Sequence, residues 1–262
     1  MPIVSPETEL QRFVPRRRLV TLDAIVPRGE NMVRCWFVGD DLADFESPNA
    51  TDHIKLQVPN ESGHLAEPER DAQDGRILNR EQLGLRDMTP RIVEPHRLAI
   101  DIVRHPGGVI GNWLERARVG DRCAFLGPRG SKRLIQPLDR LIAIVDLAAL
   151  PAAERRFNEL GLPGVLHLVG TGAGAIDVPE TVTVEVYDPG DWVRVTDALQ
   201  SAIANAERTL VWAAGEAAGV ARVRASLRSI EEAEILAQFN GYWRQGVSEY
   251  DHHAELPAVS PA

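Results

Sequence analysis

Along the first half of the chain, apolar residues fall into short runs divided by turn residues. RRLVTLDAIVP (17–27) and NMVRCWFVGD (31–40) are two β-rich runs either side of the turn signal PRGEN. DHIKLQVP (52–59) alternates, with Ile54, Leu56 and Val58 on one face and His53, Lys55 and Gln57 on the other. The polar, glycine-dotted stretch from Asn60 to Gln82 predicts a long loop. RIVEPHRLAIDIVRH (91–105) predicts strand, turn and strand, GNWLERARVGD (111–121) a short helix ended by Gly120, and CAFLGPRGS (123–131) a strand running into a turn. Many short strands with one small helix point to a closed antiparallel β-barrel.

The period changes after about residue 138. RLIAIVD (140–146) is the continuous apolar run of a strand covered on both faces. LPAAERRFNELG (150–161) has helical spacing and a terminal glycine. GVLHLVG, TVTVEVYD and RTLVWAAG are further strands, and VTDALQSAIANAE and EAAGVARVRASLRSIEEAE further helices. Strand–helix alternation predicts a parallel α/β sheet. The chain therefore divides into a β-barrel domain, 1–137, and an α/β domain, 138–262, carrying the C-terminal segment GYWRQG. GTGAGA (170–175) imitates a dinucleotide fingerprint. That fingerprint needs a helix directly after the glycines, and here proline and β-branched alternation follow, so it is read as a turn.

With 262 residues and 44% hydrophobic positions, length alone allows one large domain or two ordinary ones. Such a chain buries roughly 70–75% of its unfolded surface and needs no covalent staple. Twenty-nine basic against 38 acidic residues give a net charge of −9, which repels nucleic acid and anionic membranes. An anionic ligand would have to be met by gathered arginines. Cys35 and Cys123 sit in apolar runs without a CxxC, which excludes an iron–sulfur cluster or Cys-type zinc site and predicts buried thiols. Without an apolar signal core or an 18-residue apolar run, the chain is expected to be soluble and cytoplasmic, with no membrane insertion. MPIVSPETE and ELPAVSPA are expected to be loose ends. His252 and His253 lack a third partner and read as solvated.

The candidate chemistry lies in RDMTPR (86–91), DIVRH (101–105), the glycine turn 106–113, DLAALPA (146–152), Gly215-Glu216 and GYWRQG (241–246). Together with DHIKL, GDRCAFLGPRGS and VWAAGEAAGVARVR, in this order and spacing, these resemble the siderophore-interacting protein family. Its members are FAD-dependent ferric-siderophore reductases of the ferredoxin-reductase-like superfamily, and the resemblance covers most of the length. It implies a flavin-binding barrel and a nicotinamide-binding α/β sandwich, with FAD and NADPH or NADH as cofactors and a ferric siderophore as substrate.

The family's Arg-x-Tyr-Thr-x-Arg flavin motif reads here Arg86, Met88, Thr89 and Arg91 at its defining positions. Regular alternation would put Arg86 and Met88 on one face, and Asp87, Thr89 and Arg91 on the other. A guanidinium grips a diphosphate bidentately, and Thr89 can reach the flavin's reactive edge. Methionine replaces the stacking tyrosine and can still contact an aromatic face, or serve as core filler. The resemblance assigns Val103, His105, Gly108, Gly111, Asn112 and Trp113 to the turn that wraps the flavin diphosphate. Asp146 and Leu150 stand where the cofactor's adenosine half would be met, and equally where a helix cap belongs. Gly215 and Glu216 fit a nicotinamide cleft or an ordinary tight turn. Tyr242 and Trp243 fit a flavin-covering aromatic or a packed pair. Lys55 and Arg244 are the candidates for gripping an anionic ferric chelate. No protein acid, base or nucleophile is implied, because the flavin carries the chemistry. Two rivals stand beside this reading: a general flavin reductase, and a non-catalytic flavin- or siderophore-binding member.

Overall fold

The computed structural model describes residues 3–74, 76–203, 208–228, 235–248 and 250–259. Its strands are β1 Ile3–Val4, β2 Thr8–Arg12, β3 Arg17–Pro27, β4 Met32–Val38, β5 Ile54–Gln57, β6 Arg86–Met88, β7 Ile92–Glu94, β8 Arg97–Val103, β9 Arg122–Leu126, β10 Gly130–Leu134, β11 Arg140–Asp146, β12 Gly164–Val169, β13 Val182–Tyr187, β14 Thr209–Glu216 and β15 Ile235–Trp243. The helices are α1 Arg80–Leu83, α2 Gly108–Leu114, α3 Leu150–Leu160, α4 Trp192–Ile203 and α5 Ala217–Arg228. The chain forms two compact units, Leu10–Lys132 and a second made of Met1–Glu9 with Arg133–Ala262.

The first unit is built on a seven-stranded sheet in the order β6-β5-β9-β3-β4-β8-β7, with every pairing antiparallel. Its two edge strands are consecutive in sequence, joined only by Thr89, Pro90 and Arg91. A link of three residues spans little more than about 10 Å, so the sheet must curl until its edges approach. Alternation supplies the core: Val33, Cys35 and Phe37 of β4 are buried with Leu98, Ile100 and Ile102 of β8 and Val20 and Leu22 of β3. A register shift between Leu22 and Ala24 re-phases β3 and lets Ile25 pack on the same core. Both cysteines are free and buried, and burial raises both thiols, Cys35 to about 12.

The second unit is a six-stranded parallel sheet in the order β1-β15-β14-β11-β12-β13. Ile142 and Ile144 of β11 and Val211 and Ala213 of β14 pack with Val195 and Leu199 of α4 and Val220 and Val223 of α5. The alternate residue Trp212 meets Arg156 of α3, so α3 covers the opposite face. Gly219 lets α5 approach α4, since a Cβ there would lie 2.1 Å from the Trp192 ring.

Several elements differ from their sequence reading. The N-terminal segment is not loose: Ile3 and Val4 pair in parallel with β15, and Thr8–Arg12 pairs with β10. Ile3–Glu9 accordingly group with the α/β unit, while Leu10–Arg12 stay with the barrel unit. The β15 strand follows residues 229–234, where the expected helix extension lies outside the described residues. α4 begins at Trp192, before the expected Thr-Asp start, and the Asp191 carboxylate accepts from Arg194 N at 3.3 Å. α2 begins at Gly108, so the glycine turn is itself the first helical turn. GTGAGA is a turn with Gly170, Gly172 and Gly174 at positive φ, and strand β13 follows it.

Candidate functional site

In the barrel unit, β6 pairs antiparallel with β5, with Ile54 opposite Met88, Lys55 opposite Asp87 and Leu56 opposite Arg86. Ile54 and Leu56 are core residues, so Arg86 and Met88 share the core-facing side and Asp87 points away. Half-buried Met88 packs on the core cluster. Arg86 donates to its neighbour's carbonyl, Leu85 O, at 2.8 Å. The strand ends at Met88, so the expected alternation does not continue through Thr89 to Arg91. Lys55 Nζ lies 2.6 Å and 2.8 Å from the two oxygens of Asp87, so its charge is compensated.

Arg91 turns into the protein. Its side chain is 6% exposed, with Nε 3.9 Å from Asp101 Oδ2. Asp101 is wholly buried on the β8 face opposite the core cluster. Arg34 binds it at 2.7 Å and 2.9 Å, and Arg28 pairs with it as well. The second arginine of the run Arg86–Arg91 is thus built into a buried ion cluster.

The turn after β8 carries the remaining candidates. Val103 is half-buried; His105 and Asn112 are exposed. Gly107 and Gly108 have φ of 76° and 68°, and α2 has no side-chain cap at its start. A Cβ on Gly107 would meet nothing within 4 Å, so this backbone is open to approach. Gly111 is different: a Cβ there would lie 2.3 Å from His105 O, so glycine is required for α2 to sit on the strand end. Trp113 is fully buried, its ring 6.5 Å from Phe37 and nearly parallel to it; it is a core residue, not a wall of the site. A cleft of about 310 Å³ opens beside the turn, lined by Arg104, His105, Pro106, Gly111, Leu114 and Glu115. A Cβ on Gly84 would come within 3.0 Å of Val109, which joins the start of β6 to the first turn of α2. That approach sets the residue two positions before Arg86 beside the one after Gly108. Arg104 and Gly84 were not singled out in the sequence; an arginine beside His105 and a glycine two residues before Arg86 were the available signals.

These residues fit the diphosphate of a flavin dinucleotide. An uncapped glycine turn offers backbone N–H groups, and the arginine at the cleft supplies positive charge.

In the α/β unit, Asp146 ends β11 and is buried. Its Oδ1 accepts from Ala148 N at 2.9 Å and Ala149 N at 3.2 Å, and its Oδ2 from Glu216 N at 2.8 Å and the Trp243 indole Nε1 at 2.7 Å. Gly215 makes room for it, because a Cβ there would sit 2.4 Å from Asp146 Cγ. Glu216 caps α5 by accepting from Gly219 N at 2.8 Å, and also accepts from Gln245 N at 3.3 Å. Leu150 is fully buried, which makes it core. Tyr242 is half-buried, with its hydroxyl raised to about 12 by burial against the opposing pull of Arg156. Trp243 is 42% exposed and Arg244 is exposed. His253 is exposed and His252 half-buried. Among the described residues, no group of three or more His, Cys, Asp or Glu could hold a metal ion, and no helix is long and apolar enough to cross a membrane.

Burial pushes Asp146 up to about 6, against the N–H donors that pull it down, Trp243 first among them. Its folded value is above its unfolded one of about 3.9, so the native state is favoured most below that value, and this contribution is lost as pH rises through 6. Protonation also turns one oxygen from acceptor into donor and opposes one of its N–H partners. Titration from about pH 7.5 to about pH 5 is therefore expected to shift tryptophan emission with a midpoint near 6, and the shift should vanish in Trp243→Phe.

Residues 23–132 match the family model of the siderophore-interacting FAD-binding domain, and residues 138–246 that of siderophore-interacting protein. The chain is 30% identical over a 273-residue alignment to ferric vibriobactin reductase ViuB of Vibrio cholerae, covering 96% of this chain and 97% of that one. It is 32% identical over 123 residues to NADPH-dependent ferric-chelate reductase of Escherichia coli K12, a match spanning 47% of this chain and 48% of that protein. A siderophore utilization protein from T. fusca has the same fold at a TM-score of 0.77 and 32% identity, with 95% of this chain and all of that one covered. With both units matched and a full-length relative at this identity, the chain belongs to the siderophore-interacting protein family.

Proposed function

We propose that this chain is an NAD(P)H-dependent, FAD-containing reductase that converts Fe(III) held in a siderophore to Fe(II). The observation that carries the reading is the open, uncapped glycine turn beside Arg104 and His105 in the unit that matches an FAD-binding domain. The names of the two curated relatives support ferric iron as the acceptor and, for one, NADPH as the donor. A flavin held there would supply the exchange between a two-electron donor and a one-electron acceptor, so that one NAD(P)H would serve two ferric ions and yield one proton. The chain's own work is to bind and orient. Arg86 and the turn 107–108 hold the diphosphate, Met88 and Thr89 border the ring, and the strand ends around Asp146, Gly215 and Glu216 receive the nicotinamide. The reaction belongs in the cytoplasm, where nicotinamide is kept reduced.

The test is direct. The purified chain incubated with FAD should show flavin absorbance that bleaches on adding NADPH or NADH, and ferrozine should then trap Fe(II) from a ferric siderophore. A chain that takes up no flavin overturns the reading in favour of a binding module. Flavin that bleaches without siderophore-dependent Fe(II) points to a general flavin reductase. Substrate steering has its own prediction. Lys55 is already paired to Asp87, so Lys55→Ala should slow reduction of an anionic chelate by less than about threefold, and Asp87→Asn, which releases that charge, should speed it about two- to fivefold at low salt. Steady-state rates at two ionic strengths check both; equal rates in all three proteins remove Lys55 from the site.

A further inference from the structure

The α/β unit reverses its strand order between β11 and β14. From β11 the chain steps to β12 and β13 on one side, then returns to place β14 and β15 on the other. In open parallel sheets the ligand crevice lies at such a reversal, outside the carboxyl ends of the two strands. There the N–H groups of both lips usually await an anion. Here a side chain of the protein has taken them. Asp146 Oδ1 accepts from Ala148 and Ala149 N on the β11 side, and Oδ2 accepts from Glu216 N on the β14 side. The second N–H bonded to Oδ2 is the Trp243 indole, at 2.7 Å.

We propose that Asp146 is a positioning residue of this crevice: its carboxylate replaces an external anion on the strand-end N–H groups and fixes the Trp243 indole as the wall against which the nicotinamide ring stacks. The proposal rests on the reductase reading for the identity of that ring. The tie itself stands on geometry alone. Gly215 leaves space for the carboxylate, with a prospective Cβ only 2.4 Å from Cγ, and each oxygen carries two donors. A charge-assisted bond pins one edge of the indole while Trp243 stays 42% exposed, so the side chain is held without being buried. Glu216 adds a second hold by accepting from Gln245 N, just beyond Trp243. The dinucleotide's diphosphate must consequently be held elsewhere than on these N–H groups. The absence of a glycine fingerprint in DLAALPA agrees with that.

The test needs no cofactor in its first arm. The indole N–H of Trp243 in the full chain is assigned by its loss in Trp243→Phe, and its exchange with solvent is measured by NMR. It should exchange at least about tenfold more slowly than a free indole. In Asp146→Asn the amide can still accept from the α3 side but sets its own N–H₂ against Glu216 N and the indole; that protection should be lost. Exchange of the wild-type N–H at the free-indole rate overturns the proposal, whether or not the variant folds. So does unchanged protection in a folded Asp146→Asn. In the second arm, with FAD bound, Asp146→Asn should raise KM for the nicotinamide dinucleotide about tenfold with kcat changed less than about threefold. An unchanged KM overturns the stacking role. A wild-type chain that oxidises neither NADH nor NADPH overturns the reductase reading instead, and the exchange data still decide the tie.

Discussion

Asp101→Ala is expected to destabilise the barrel unit by about 3–5 kcal/mol, because it leaves buried guanidinium groups without the carboxylate that compensates them. Arg28, Arg34 and Arg91 converge on this one acid, and their side chains are 9%, 23% and 6% exposed. The acid itself has no exposure, so water cannot replace it. Removing it converts an attraction into repulsion among three cations in a medium that screens weakly. The effect should reach the glycine turn proposed to hold the flavin, because Asp101 lies in the strand that leads into Arg104 and His105. Urea unfolding followed by circular dichroism measures the loss, and FAD titration measures its consequence. A variant within about 0.5 kcal/mol of wild type would mean that the arginines are held by their other contacts and that the acid contributes little.

Much of the fold was legible because its strands announce themselves. β11, β12 and β14 are continuous apolar runs, as strands covered on both faces must be, and β4 and β5 alternate as strands around a curled core do. β15 was missed because ILAQFNGYW carries polar residues where an apolar run was expected. Those residues serve partners far away: Gln238 accepts from Arg156 Nη2 at 2.9 Å, and Asn240 from the Trp212 indole at 3.0 Å. Such pairings leave no periodic trace in a single strand. The candidate site divides in the same way. The glycine turn and Arg86 were candidates on local chemistry, and the close approach of Gly84 to Val109 links the chain just before Arg86 to the helix that begins in the turn. Arg91 and Trp113 could not be placed, because what decides them is a buried acid one strand over and a phenylalanine 76 residues earlier. An aspartate inside the apolar run LAIDIV was the one local hint that buried cations must gather there.

Gly215→Ala is expected to cost about 3 kcal/mol or more, and to abolish the Asp146–Trp243 bond in whatever folds. Two effects add. Gly215 holds φ at 135°, where an L side chain is strained by about 1–2 kcal/mol or more. The new methyl would also lie 2.4 Å, 2.5 Å and 2.7 Å from the three carboxyl atoms of Asp146, far inside contact distance. That carboxylate cannot simply swing aside, since both of its oxygens are committed to N–H donors on β11's loop, β14 and Trp243. Either the acid leaves and abandons the Ala148 and Ala149 N–H groups ahead of α3, or β14 shifts against β11. Both routes release the indole. The contrast with Gly107 is the control: its φ is 76° but a Cβ there meets nothing within 4 Å, so Gly107→Ala should show strain alone, about 1–2 kcal/mol, with the Trp243 bond untouched. Chemical denaturation of the two variants, beside the Trp243 indole resonance in each, separates the outcomes. Equal stability loss, or a retained indole bond in Gly215→Ala, would mean that the space beside Asp146 is not what holds this residue at glycine.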